Sequence, residues 1–165
     1  MLDLRGITGP YNGLEAKIKF IKDCYRKSLT DPRVRRYAEQ WAGRGDRRTQ
    51  ASNLYTALQH LLVYLPDPVG VEMTKSPSVM LDQMEGSYNH TIQGDCDDMS
   101  CLGYAMLMSI GMPTRLRVTW YGKSSMPQHI YLITFPTGSG APVPFDLTRR
   151  DKFGSEIPYT RKMDF

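Results

Sequence analysis

Gly94-Asp95-Cys96-Asp97-Asp98 runs into Met99-Ser100-Cys101-Leu102-Gly103-Tyr104-Ala105-Met106-Leu107, and the way this stretch must fold governs the reading of everything around it. Asp95 is a good N-cap, and Asp98 three positions on resembles the far half of a capping box. A helix is therefore expected from Cys96 or Asp97 to Ile110. Met99, Leu102, Met106 and Ile110 form its apolar stripe, Gly111 caps it, and Pro113 prevents its continuation. This places Cys96 in the first turn. There, unpaired backbone N–H groups and the positive end of the helix dipole favour a thiolate. Asp97 and Asp98 act in the opposite sense, so an activated thiol needs a histidine partner as well.

Downstream of this helix the hydrophobic period becomes two. Leu116, Val118 and Trp120 alternate with Arg115, Arg117 and Thr119, and Ile130, Leu132 and Thr134 alternate with His129, Tyr131 and Ile133. A third strand, 143–147, follows the turn Pro136-Thr137-Gly138-Ser139-Gly140. In an antiparallel hairpin the numbers of facing residues add to a constant. Setting His129 opposite Asp146 centres the turn between Thr137 and Gly138, inside that predicted turn. Cross-strand partners lie roughly 4.5–5.5 Å apart at Cβ, close enough for Asp146 to bond one imidazole nitrogen while the other faces Cys96.

Upstream, residues up to about 65 read as three helices. Leu14, Ile18, Ile21 and Tyr25 recur at helical spacing, as do Val34, Ala38 and Trp41, then Leu54, Leu58, Leu61 and Leu62. Asp31-Pro32 is a cap followed by a first-turn proline, and Gly43 with Gly45 marks a break. Pro66-Asp67-Pro68-Val69-Gly70 cannot continue a helix. Ser76-Pro77 starts a short helix to about Met84, and 85–93 is a polar connection. Helices followed by a small antiparallel sheet make the chain α+β.

The 165 residues, 41% of them hydrophobic, suit one compact domain, 1–165. Within it we distinguish a helical part over about 1–65, a catalytic core over about 66–148 and a C-terminal tail, 149–165. No run of about 18 apolar residues is present, and Met1-Leu2-Asp3-Leu4-Arg5-Gly6 lacks the pattern of a secretion signal. A soluble protein made in the cytoplasm is expected. Cys24, Cys96 and Cys101 are too few for a disulfide scaffold, and Cys24 and Cys101 read as core. The net charge of +4 is mild. Arg33, Arg35, Arg36, Arg44, Arg47 and Arg48 cluster without any recognition motif, so a solvated helix face is favoured over nucleic-acid binding. A metal site built from Cys96, Asp97, His90 and His129 lacks recognised zinc spacing, so no metal and no cofactor is expected.

Four motifs taken together resemble the transglutaminase-like cysteine peptidases: Gly94 to Asp98, then Gly111-Met112-Pro113-Thr114-Arg115, then His129-Ile130-Tyr131, then Pro144-Phe145-Asp146-Leu147-Thr148. The resemblance covers about 69–148. It departs from the usual His-Ala-Trp at Ile130 and Tyr131. It implies a papain-like fold with N-terminal helices and the nucleophile helix packed on the sheet. It also implies a triad in which Cys96 attacks a carbonyl, His129 is base and then acid, and Asp146 orients the imidazole. The acyl group then passes to water or to an amine. Oxyanion stabilisation would combine the Cys96 backbone N–H with a side chain, either Tyr64 at the end of an upstream helix or Gln93. The expected partner is a protein or peptide substrate.

Asp67-Pro68-Val69-Gly70-Val71-Glu72, with Ser76-Pro77 and Gly94 to Asp98, further resembles small transglutaminase-like proteins of tailed bacteriophages. That resemblance implies a virion or assembly setting, in the tail region, with other virion proteins as partners and cell-wall peptide among the substrates. A structural component that keeps the fold but acts by binding is the competing reading.

Overall fold

The computed structural model describes residues 7–8, 13–68 and 73–165. The N-terminal hexapeptide and Val69 to Glu72 of the phage-like motif lie outside them.

The helices form where caps and periodicity direct. α1 (Leu14–Ser28) buries Ile18, Ile21, Cys24 and Tyr25. α2 (Pro32–Ala42) starts at Asp31, whose side chain accepts the Arg33 N–H, and buries Val34 and Ala38. Gly43 and Gly45, with φ of 63° and 133°, turn the chain into α3 (Arg47–Leu61), a backbone region that favours glycine. α4 (Pro77–Gly86) is capped by Ser76. α5 (Cys96–Ser109) follows Asp95 with both halves of the capping box in place.

Among the described residues there are also eight short strands: β1 (Ile7–Thr8), β2 (Leu62–Tyr64), β3 (Met73–Thr74), β4 (Ile92–Gly94), β5 (Thr114–Trp120), β6 (His129–Thr134), β7 (Val143–Phe145) and β8 (Arg161–Asp164). The main sheet is antiparallel with order β7-β6-β5-β8. β1 pairs with β3, and β2 runs parallel to β4.

α5 is the centre of the molecule. It packs on β6 and β5 on one side and on α1, α2 and α4 on the other. Every residue from Asp97 to Leu107 is buried, so the helix is enclosed all round rather than along one stripe, as a central helix must be. Ile110, expected on that stripe, is only partly buried. Gly103 makes the helix-to-sheet approach possible: a Cβ there would lie 2.9 Å from Leu132 Cδ1 and 3.1 Å from Leu147 Cδ1. At its C-terminus α5 is capped by Arg47, whose guanidinium donates to the Ile110 and Gly111 carbonyls.

Three local expectations are corrected. Leu62 and Tyr64 leave the helix and pair with Ile92 and Gly94 as strand β2, because parallel pairing satisfies backbone groups that a helix ending in the prolines could not. The connection 85–93 ends in strand β4 for the same reason. The C-terminal segment covers the outer face of the sheet, where Arg117, only 3% exposed, is held by Asp164 and Glu156. In the arginine-rich stretch Arg35, Arg36, Arg44 and Arg48 are exposed, Arg35 pairing with Glu39 on the surface, while Arg33 binds Asp31, Asp82 and Glu85. Among the described residues no helix is long and apolar enough to cross a membrane.

Candidate active site

Asp95 Oδ1 accepts the N–H groups of Asp97 and Asp98 at 3.0 and 3.3 Å, and Asp98 Oδ2 accepts the Asp95 N–H at 3.3 Å. This reciprocal cap requires glycine at position 94, where a Cβ would fall 2.6 Å from the Asp98 Cβ. Asp97 and Asp98 are both fully buried. Buried carboxylates need partners. Lys17 from α1 reaches Asp97 Oδ2 at 2.7 Å, and Lys75 Nζ reaches Asp98 Oδ2 at 3.1 Å. Lys75 also donates its backbone N–H to Asp98 and its Nζ to the Gln93 carbonyl. These lysines were missed in the sequence; the only signal for them is that two acids heading a buried helix demand two cations.

Cys96 sits at the first position of α5, half-buried, against β6. Ser100, one turn further on, donates Oγ to the Ile130 carbonyl at 3.3 Å, and the Ile130 backbone favours the Cys96 thiolate. The helix start is thus fixed one residue along the strand from His129. The thiol itself donates to Asp97 Oδ1 at 3.4 Å. The expected lowering of the thiol pKa by the helix start is not what the surroundings produce. Burial pushes the thiol up, and the carboxylates of Asp97 and Asp95 add to it, with Lys17 and the Ile130 amide opposing weakly. Asp95 is itself raised to about 7, first by burial and then by Asp97 and Asp98.

His129 opens β6, and its Nε2 lies 2.8 Å from Asp146 Oδ2. The pairing register differs from the sequence expectation. Leu132 faces Phe145 and Ile133 faces Pro144, so the turn centres between Gly138 and Ser139 and Asp146 falls just past β7, on the extension that faces Tyr131. The two residues therefore meet on a diagonal, which keeps them on the same face because side chains alternate. Thr148 completes the contact. Its backbone N–H and Oγ1 bond Asp146 Oδ1 at 3.1 and 2.7 Å, and its Oγ1 lies 3.4 Å from His129 Nε2. Burial pushes the Asp146 carboxyl up, but the hydrogen bonds and charge of His129 and the hydrogen bonds of Thr148 prevail and hold it below its ordinary value. From the far side, Tyr55 of α3 donates its hydroxyl to the Asp146 carbonyl at 3.1 Å.

The two oxyanion candidates fare differently. Tyr64 is 53% exposed, and its hydroxyl pKa is raised first by burial and then by the charges of Cys96, Asp95, Asp97 and Asp67. Gln93 is exposed on β4, its N–H bonded to Gln83 Oε1. His90 is an exposed residue with φ of 50° in the loop before β4, and His60 is exposed on α3. Asp95, Cys96 and Asp97 bring three oxygen and sulfur atoms within 4.8 Å of one another. Asp95 is engaged in capping and Asp97 with Lys17, so these donors already serve the protein's own contacts. Cys24 and Cys101 are both core, as expected.

No protein-family model matches the chain, and no curated protein matches it. Solved structures do. A candidate protease of Parabacteroides distasonis superposes with a TM-score of 0.59 and 13% identity, over 88% of this chain and 30% of its own. A candidate cysteine protease of Cytophaga hutchinsonii superposes with a TM-score of 0.54 and 17% identity, over 86% of this chain and 45% of its own. A TGase aligns with a TM-score of 0.43, too low to bear on the fold. The chain thus spans less than half the length of these two proteins, and what it shares with them is the α+β, papain-like fold with a central helix on a small antiparallel sheet.

Proposed function

We propose that this protein is a transglutaminase-like thiol hydrolase of amide bonds, peptide or isopeptide, with Cys96 as nucleophile, His129 as base and acid, and Asp146 as the group that orients the imidazole. The observation that carries the reading is the His129 Nε2 to Asp146 Oδ2 contact of 2.8 Å, at the strand residue next to Ile130, whose carbonyl accepts from Ser100 one turn beyond Cys96. With Nε2–H donating to Asp146, the lone pair on Nδ1 is available for the thiol proton.

The chemistry follows from these positions. The Cys96 proton passes to His129 Nδ1, and the thiolate forms an S–C bond to the amide carbonyl while the carbonyl electron pair moves to oxygen. The Cys96 backbone N–H, at the unpaired helix start, and the Tyr64 hydroxyl are the donors for that oxyanion. Collapse expels the amine, which takes the proton from the imidazolium, and leaves a thioester. Water, deprotonated by His129, attacks the thioester, and the acid leaves as Cys96 recovers its proton. Hydrolysis is favoured over transfer because water is present at high concentration and no amine-binding site is discernible. A protein or peptide substrate fits this chemistry.

The test is cleavage of a pooled peptide library, including isopeptide-linked and cell-wall peptides, read by mass spectrometry. Cleavage that disappears in Cys96→Ala and falls at least a hundredfold in His129→Ala is expected. Cleavage that survives Cys96→Ala would overturn the assignment.

A further inference from the structure

Asp97 is the one acid of the helix start whose two oxygens face two different partners at the nucleophile. Oδ1 lies 3.4 Å from the Cys96 sulfur, and Oδ2 lies 2.7 Å from Lys17 Nζ and 3.2 Å from Thr74 Oγ1. Its side chain has no exposed area, whereas that of Lys17 is 22% exposed. We propose that Asp97 and Lys17 are a positioning pair for Cys96: Asp97 holds the thiol hydrogen in the resting site, and Lys17 anchors that carboxylate from α1. The proposal rests on Cys96 being the nucleophile but not on the identity of the acyl donor.

The electrostatic surroundings single out this pair. On the same helix start, Asp98 is matched by Lys75, while Asp95 spends one oxygen on the cap. The Tyr64 hydroxyl of β2 feels the charges of Cys96, Asp95, Asp97 and Asp67. His129 of β6, next to Ile130, is held by Asp146. Of the three acids of the helix start, Asp97 is the one that accepts a hydrogen bond from the sulfur. A carboxylate there disfavours the thiolate and competes with the imidazole for the same hydrogen. A lysine behind that carboxylate moderates its negative field. When the nucleophile is released, the proton leaves Sγ for His129 Nδ1, giving thiolate and imidazolium, and Asp97 loses its hydrogen-bond donor while keeping Lys17 and Thr74. The availability of the nucleophile is therefore set partly from α1, a helix remote in sequence from the catalytic residues.

A purely structural salt bridge and a positioning pair make different predictions when the bridge is broken from its two ends. The experiment is the pH midpoint of Cys96 alkylation by iodoacetamide, read by mass spectrometry in the full chain for the wild type, Asp97→Asn, Lys17→Gln and Lys17→Arg. Asp97→Asn should lower the midpoint by about one pH unit, which raises the rate below the midpoint about tenfold. Lys17→Gln should raise it, and Lys17→Arg should restore it. Displacement of both in the same direction, or of neither, overturns the proposal. Should Asp97→Asn fail to fold, Lys17→Gln, altered at a partly exposed position, decides alone: an unchanged or lowered midpoint overturns the idea. His129→Ala keeps the two claims apart, since an unchanged midpoint there removes the thiol–imidazole couple without touching the opposed displacements of the Asp97 and Lys17 variants.

Discussion

His129 Nε2 and Asp146 Oδ2 lie 2.8 Å apart although the residues are not cross-strand partners: the register sets Leu132 against Phe145, and Asp146 reaches His129 along the diagonal from just beyond the strand. A contact made from a strand end is held less firmly by the ladder than a direct pair. Here Thr148 compensates, with a backbone and a side-chain hydrogen bond to the other oxygen of the same carboxylate.

Thr148→Val should weaken this carboxylate without disturbing packing. It removes one hydrogen bond to a charged group, a loss of about 1.5 kcal/mol. Asp146 sits below its ordinary value in the folded protein, so it contributes stability that is present above its unfolded value of about 3.9 and is lost as pH falls through the lower folded value. The variant should begin to lose this contribution at a higher pH, so its acid-unfolding midpoint should move up, and peptide cleavage should fall about tenfold. Circular dichroism across pH 2–6 and the cleavage assay provide the two readouts.

Asp95 gives the opposite sign. Its carboxyl is raised to about 7 in the fold, so the folded state holds a proton that the unfolded chain has already released. Stability should decline as pH rises from about 4 to about 7. Asp95→Asn retains a good N-cap and removes the titration, so its thermal midpoint should fall less over this range than that of the wild type. Parallel declines in the two proteins would show that Asp95 does not titrate as described.

Two helical glycines should respond in opposite directions to the same substitution. Gly103→Ala drives a Cβ to 2.9 Å from Leu132 Cδ1 between helix and sheet, and should cost about 1–3 kcal/mol in urea unfolding. Gly86→Ala meets nothing within 4 Å at the end of α4 and should stabilise by about 0.5 kcal/mol.

Arg117→Met should release the C-terminal strand. The guanidinium is buried and binds Asp164 through two nitrogens, at 2.7 Å each, and Glu156 at 2.8 Å. Its removal leaves two carboxylates without their cation on the outer face of the sheet, at a cost of about 3 kcal/mol. Limited proteolysis should then cut the segment after β7 while the remainder stays resistant. Unchanged resistance would mean that β8 is held by other contacts.

What was legible in the sequence is what local chemistry dictates. Asp31-Pro32, Ser76-Pro77 and Asp95 with Asp98 announced three helix starts, and the change of period at Leu116 announced the sheet. His129 and Asp146 were correctly brought together, but through a register displaced by two positions, because a five-residue turn rich in glycine admits more than one hairpin geometry. β2 and β4 escaped notice because three-residue strands are too short to show a period, and they pair across the chain rather than in a hairpin. β8, Arg161 to Asp164, presents exposed side chains and no apolar alternation, and its place on the sheet depends on Arg117. The lysines that neutralise Asp97 and Asp98 come from α1 and from the approach to α4, a match that only the tertiary arrangement creates.

The most direct measurement is the pH dependence of alkylation at Cys96 in the wild type and in His129→Ala, with buried Cys24 and Cys101 as internal controls. The account predicts that wild-type Cys96 reacts faster than both controls at neutral pH and that His129→Ala removes most of this advantage and raises its midpoint. Identical profiles for Cys96 in the two proteins would contradict the thiol–imidazole couple on which the proposed hydrolysis depends.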